Sequence, residues 1–204
     1  MTDIKKVCGA LSARGFEAHC MRTAEEASAF ILADLPAGET IAIGGCMTAR
    51  ERARDQRLRE AGHPVLWHWD VAHADRFATL HEAMHAPRYI CSANAVTEDG
   101  LMVNIDGTGN RVAAMCYGPD VVYILIGRNK IVEGGYQQAV RRIKQVACPL
   151  NARRLGLDTP CAREGGACSV SECRNPMCSA VVSLERAPTG HRMVALLIDE
   201  ALGY

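Results

Sequence analysis

Val121-Val122-Tyr123-Ile124-Leu125-Ile126, followed at once by Gly127-Arg128-Asn129-Lys130, is the stretch on which the fold turns. It is apolar throughout, mostly β-branched or aromatic, with no polar residue at alternate positions. A strand with one wet face would alternate; this one predicts burial on both faces, inside a parallel sheet with helices above and below. Upstream, strand-like runs at 16–21, 40–43, 65–67 and 88–92 are separated by helical patterns at 4–11, 23–35, 48–61 and 70–85. Thr23 with Glu26, and Thr48 with Glu51, have the spacing of capping boxes. Phe77, Leu80 and Met84 are spaced for one face of the 70–85 helix. Downstream, 136–147 reads as a helix, and 181–184 and 193–198 as strands. This alternation is the pattern of right-handed βαβ units. Residues 101–105 and 111–116 read as a hairpin about Asp106-Gly107-Thr108-Gly109, so the sheet is expected to be mixed though mostly parallel. One α/β domain over 1–204 is predicted, with a Cys-, Gly-, Ser- and Pro-rich segment at 158–179 that has little to bury.

Composition excludes several classes. Twenty-three basic residues balance twenty-three acidic ones, and aromatics are 5%, so neither the positive surplus nor the stacking platforms of a nucleic-acid binder are present. No apolar run approaches the roughly 20 residues a bilayer requires, and the first residues lack the apolar core of a signal peptide. A cytoplasmic protein is expected. In that compartment ten cysteines suggest buried thiols, metal ligands or reactive thiols before disulfides.

Five constellations bear on chemistry. Gly44-Gly45 runs from a strand into a helix start at Thr48, where free N–H groups suit an anion; the same geometry also serves a plain βα turn. Cys46 there is either a buried small thiol or one activated by the helix end. Asn94, Glu98, Asp99, Asn104, Asp106, Asn110 and Arg111 crowd loops between strands, where α/β proteins place their sites. Arg128 and Lys130 follow the central strand and either hold an acidic ligand or form a solvated loop. His81-Glu82-Ala83-Met84-His85 has the i, i+4 histidines of a zinc peptidase, but Pro87 breaks the helix and no third ligand follows at the usual spacing. Finally, Cys161, Cys168, Cys173 and Cys178 supply four soft ligands in a small, polar segment, although no CxxC pair is present. They are expected to hold an Fe–S cluster, or else zinc, or to be free or redox-active thiols.

The run SANAVTEDGLMVNIDGTGNRVAAMCYGPDVVYILIGRNKIV (92–132) and PLNARRLGLDTPC (149–161) resemble the LUD, or lactate-utilisation, domain family, and the likeness extends over nearly the whole chain. The resemblance implies a fold similar to the ribose-phosphate isomerase, glucosamine-phosphate isomerase and CoA-transferase group. It implies a component of lactate or organic-acid utilisation, or of the electron transfer associated with it. Expected partners are a small anionic molecule, oxidoreductase subunits and further copies of the chain, with no nucleic acid and no membrane. The alternative is a stand-alone isomerase or transferase on a phosphorylated or CoA-linked substrate, with Glu98 or Asp99 as general base beside Gly44-Gly45. A third reading is a metal-dependent hydrolase through His81, Glu82 and His85. On the first reading Gly44, Gly45, Thr48, Asn94, Asn104, Asp106, Asn110, Arg111, Arg128 and Lys130 are expected to surround one cleft at the carboxyl ends of the strands.

Overall fold

The computed structural model describes residues 3–52 and 54–204. Its strands are β1 (Glu17–Met21), β2 (Ile41–Ile43), β3 (Val65–Trp67), β4 (Arg88–Ser92), β5 (Ala95–Thr97), β6 (Met102–Asp106), β7 (Val121–Gly127), β8 (Ile131–Val132), β9 (Ala180–Leu184) and β10 (Arg192–Ile198). Its helices are α1 (Ile4–Ala13), α2 (Ala24–Asp34), α3 (Met47–Arg50), α4 (Arg54–Glu60), α5 (Arg76–Ala83), α6 (Asn110–Cys116), α7 (Tyr136–Arg142) and α8 (Cys148–Arg154). Six strands form a sheet in the order β1-β10-β7-β4-β2-β3, with every pair parallel. A second sheet, β8-β5-β6-β9, holds the antiparallel pairs.

The central strand behaves as its composition demands. Every residue of β7 is buried. Val122, Ile124 and Ile126 enter one core with Val7 and Leu11 of α1, Ala83 of α5 and Met115 of α6. Val121, Tyr123 and Leu125 enter the other with Ala27 and Ile31 of α2 and Leu58 of α4. The period of two along an extended chain thus divides one apolar run between two helix layers. β10 divides in the same way, Met193, Ala195 and Leu197 against Val194, Leu196 and Ile198. The α/β class, the mostly parallel sheet and the helices on both faces agree with the expectation. The second sheet lays Ala95, Val103 and Ile105 against Ala139, Ile143 and Ala147 of the long C-terminal helix. That helix continues from α7 through a π-helical segment, Ile143–Ala147, into α8.

Four local readings are corrected. Residues 111–116 are not a strand: they lie in α6, with Arg111, Ala114 and Met115 among its buried residues. Asp106 Oδ1 accepts from Gly109 N at 2.8 Å, and Gly109 takes φ +90°, so the chain turns into a helix instead of a returning strand. The hairpin is one step earlier, β5 to β6 through Glu98–Leu101, closed by Thr97 N donating to Leu101 O at 2.9 Å. The 48–61 helix is two helices, and its start is capped by Cys46 Sγ, which accepts from Ala49 N at 3.4 Å, not by Thr48. Ala53, within that predicted helix, lies outside the described residues. The 70–85 helix begins only at Arg76, and Phe77 is 64% exposed because Thr79, Leu80 and Ala83 form the inward face. No helix among the described residues is long and apolar enough to cross a membrane.

Candidate functional site

β2, β3, β4 and β7 are in parallel register, Ile43 with Trp67 and Ile90, Ser92 with Leu125, so their carboxyl ends open on one side of the sheet. The loops there enclose a cleft of about 200 Å³. Gly45, Cys46 and Met47 enter it after β2, His68 and Trp69 after β3, Ser92 to Asn94 after β4, and Lys130 after β7. The opposite wall comes from Asp106, Asn110 and Arg111 after β6 and from Cys148, Asn151 and Arg154 of the long helix. Gly44 cannot carry a side chain, since a Cβ would stand 2.8 Å from Tyr89 Oη; its carbonyl accepts from Trp67 Nε1 at 3.0 Å.

Lys130 is a buried cation of the cleft held only by neutral partners. It is 2% exposed, and its Nζ donates to Ser92 Oγ at 2.7 Å and Thr48 Oγ1 at 3.0 Å. Among the described residues no carboxylate pairs with it. Burial pushes its pKa down to about 8. The C-terminal loop closes over this amine: Gly203 has φ +57°, and a Cβ there would stand 2.7 Å from Thr48 Oγ1 and 3.3 Å from Lys130 Nζ.

Arg111 has a different task. Its guanidinium donates to Ser92 O, Asn104 Oδ1, Asn94 Oδ1 and Ile105 O at 2.6–3.0 Å and pairs with Asp106 at 3.2 Å. All five donors are therefore spent on tying β4, β6 and the Asn94 loop together. The cations with capacity left are on the other rim. Arg154 lies over the Trp69 ring at 4.6 Å and donates to Tyr204 Oη at 2.8 Å and Asn151 Oδ1 at 2.7 Å. Arg76 lines the cleft with a buried Nε that has no hydrogen-bond partner among the described residues, and His68 Nδ1 is in the same condition. Burial, then the Arg76 and Arg154 charges, push the His68 pKa down to about 4, so the ring is neutral at physiological pH. The lining holds four cationic side chains, Arg76, Arg111, Lys130 and Arg154, against one acid, Asp106, which Arg111 already neutralises.

Of the residues singled out from sequence, Gly45, Asn94, Asp106, Asn110, Arg111 and Lys130 line the cleft. Gly44, Thr48 and Asn104 stand directly behind it, holding Trp67, Lys130 and Arg111 in place. Glu98 and Asp99 do not reach it. The hairpin tip that carries them docks on α1, where Asp99 pairs with Arg14 at 2.7 Å and Glu98 with Lys6 at 4.0 Å. Arg128 pairs with Asp199 at 3.1 Å and is not part of the lining. His81 and His85 are both exposed, with α5 ending before His85. Among the described residues no three His, Cys, Asp or Glu side chains stand close enough to hold a metal ion. The four tail cysteines accordingly do not present the converging sulfurs of one centre; Cys178 meets Cys148 at 3.3 Å and Cys161 meets Thr159 at 3.4 Å. His68, Trp69, Arg76, Arg154 and Tyr204 were not singled out from sequence. The Trp67-His68-Trp69 run at a strand end was the signal available for two of them.

A family model for the LUD domain matches residues 4–198. The chain belongs to the LUD domain family. Membership associates this LUD-domain chain with lactate utilisation in general terms. Among solved structures it is similar to a DUF162 family protein from Deinococcus radiodurans, at 13% identity and TM-score 0.50, over 97% of this chain and 99% of that one. At that identity the likeness speaks to the fold. A weaker match is the eIF2B beta of Chaetomium thermophilum, at 17% identity and TM-score 0.38, over 54% of this chain and 43% of that one. No curated protein matches the chain.

Proposed function

We propose that the cleft binds a small organic anion of the hydroxy- or oxo-carboxylate class, and that the protein acts as a component of organic-acid utilisation. The observation that carries this reading is the charge inventory of the lining: three cations without a carboxylate partner in the cleft, one of them the buried Lys130. A buried ammonium is costly in a low-dielectric site, and a bound anion offsets that cost. The unpartnered Arg76 Nε and His68 Nδ1 are further polar atoms that a ligand's carboxylate and hydroxyl would satisfy. The cleft of about 200 Å³ is small beside the roughly 300–1,000 Å³ of sites for drug-sized ligands, which suits a molecule of a few carbons better than a CoA ester.

Oxidation of a hydroxy acid needs an acceptor for two electrons. In this reading the acceptor belongs to a partner oxidoreductase subunit, and this chain supplies the anion site. The test is calorimetric titration of the full chain with lactate, pyruvate, inorganic phosphate and a sugar phosphate, repeated with Lys130→Met. The reading expects saturable carboxylate binding that Lys130→Met removes. Binding of the sugar phosphate alone would overturn it in favour of an isomerase- or transferase-type ligand, and no binding of any of the four would overturn it outright.

A further inference from the structure

Cys148, in the helix wall of the cleft, meets Cys178 on the segment packed against it. Cys148 opens α8 and is 5% exposed; Cys178 is half-buried on the irregular segment that leads into β9. Their sulfurs are 3.3 Å apart, closer than any other contact recorded for the tail thiols. We propose that Cys148 and Cys178 are a reversible dithiol–disulfide site in the wall of the cleft, taking the disulfide of a low-molecular-weight thiol as its oxidant.

The surroundings fit such a site. Formation of the bond requires the sulfurs to approach to about 2.05 Å. The Cys178 side can supply that movement, because residues 173–179 are in neither helix nor strand. Lys144, one turn before Cys148, brings an ammonium near both thiols, and its charge favours the Cys178 thiolate that exchange requires. The two cysteines divide the work by access. The more exposed Cys178 attacks the small disulfide first, and the buried Cys148 then resolves the mixed disulfide.

The reaction balances without a further reagent. The Cys178 thiolate attacks one sulfur of the small disulfide, forming a mixed disulfide and releasing one small thiolate. Cys148 loses its proton and attacks Cys178 Sγ, releasing the second small thiolate. The two protons given up by the cysteines end on the two leaving thiols. Two cysteine thiols are oxidised and one small disulfide is reduced. The consequence is local. Met177, beside Cys178, and Cys148 both line the cleft, and Ser179 N donates to Asp106 O at 2.9 Å. Cross-linking therefore fastens the 177–179 segment to the helix wall beside the ligand space.

Equilibration of the full chain in glutathione buffers of graded redox poise, acid quenching, alkylation and tryptic mass spectrometry tests the proposal. Cleavage separates the two cysteines, since residues 145–153 carry only Cys148 and residues 175–186 only Cys178. The expected result is a disulfide joining these two peptides, reversed by reduced glutathione. Cys148→Ser should instead retain glutathione on Cys178, and Cys173→Ser should leave the cross-link unchanged. Cys178 joined to Cys161, Cys168 or Cys173 in its place would overturn the proposal. So would two thiols that stay alkylatable in fully oxidised buffer, or a pair that becomes oxidisable only after a chelator removes a bound metal.

Discussion

Lys130 Nζ donates to Ser92 Oγ at 2.7 Å, and Ser92 Oγ donates in turn to Leu125 O at 2.6 Å. A charge from the end of β7 is thus held by the end of β4, and the same serine returns a hydrogen bond to β7. The relay fixes the amine at the floor of the cleft, but it supplies only neutral partners.

On the proposed reading that arrangement trades stability for binding. Displacement of the Lys130 pKa from 10.5 to about 8 corresponds to about 3 kcal/mol against the folded state at neutral pH. Lys130→Met keeps the volume and removes the buried charge. It is expected to match or exceed the wild type in thermal stability while losing anion binding. The advantage has a definite pH window. Below pH 8 the lysine is charged in both folded and unfolded chains, and its cost is fully present. Between pH 8 and 10.5 the folded chain sheds the proton first and the cost disappears. Urea denaturation at pH 7 and pH 10.5 should show the variant's advantage shrinking with pH; an advantage independent of pH would count against the buried charge as its source.

Anion affinity should follow the same group. It is expected to be level between about pH 5 and 7, because His68 is neutral across that range, and to fall as Lys130 deprotonates above about pH 8. An affinity that drops near pH 6.5 would assign the binding charge to an ordinary histidine instead. Titration calorimetry across the range measures this directly.

Arg111 is predicted to matter for folding more than for binding. Arg111→Ala leaves Asp106 as a buried carboxylate without its counter-charge and removes one of the two hydrogen bonds that Asn94 Oδ1 and Asn104 Oδ1 each accept, at an expected cost of about 3–5 kcal/mol. A denaturation midpoint close to the wild type would contradict the structural role given to it.

Glu98 and Asp99 provide the converse case. The pairs they make with Lys6 and Arg14 each have one side chain well exposed to solvent, which keeps them near the roughly 0.2–1 kcal/mol of surface pairs. The double variant Glu98→Gln, Asp99→Asn should lose a few degrees of thermal stability at most and keep carboxylate affinity within about twofold. A loss of binding by tenfold or more would return these carboxylates to the site.

The sequence carries the fold where a single element decides its own environment. β7 is legible because both of its faces are apolar, and α1 and α2 because the periodicity of the one and the Thr23 cap of the other are local. α6 was not legible. Its seven residues, Asn110–Cys116, are too few to display a helical period, and the deciding features are the positive φ of Gly109 and the Asp106 side chain closing the turn. The same limit applies to the cleft. Asn94, Asp106, Asn110, Arg111 and Lys130 lie within 37 residues and could be grouped from the chain. Arg76, Arg154 and Tyr204 reach the cleft only through the parallel sheet and the return of the C-terminal loop, and nothing beside them in sequence indicates it. Glu98 and Asp99 fail for the opposite reason: near the site residues in sequence, they point down the hairpin toward α1.

The strand order β1-β10-β7 places the last strand of the chain between the first and the central one. During synthesis β1 therefore has no neighbour to pair with until residues 192–198 have emerged, and β7 waits with one apolar edge unpaired. Some 170 residues separate β1 from its strand partner, so closure of the sheet on this side follows the emergence of β10. A chain lacking β10 would leave its most apolar strand, β7, open along one edge, the kind of edge on which chains pair with one another.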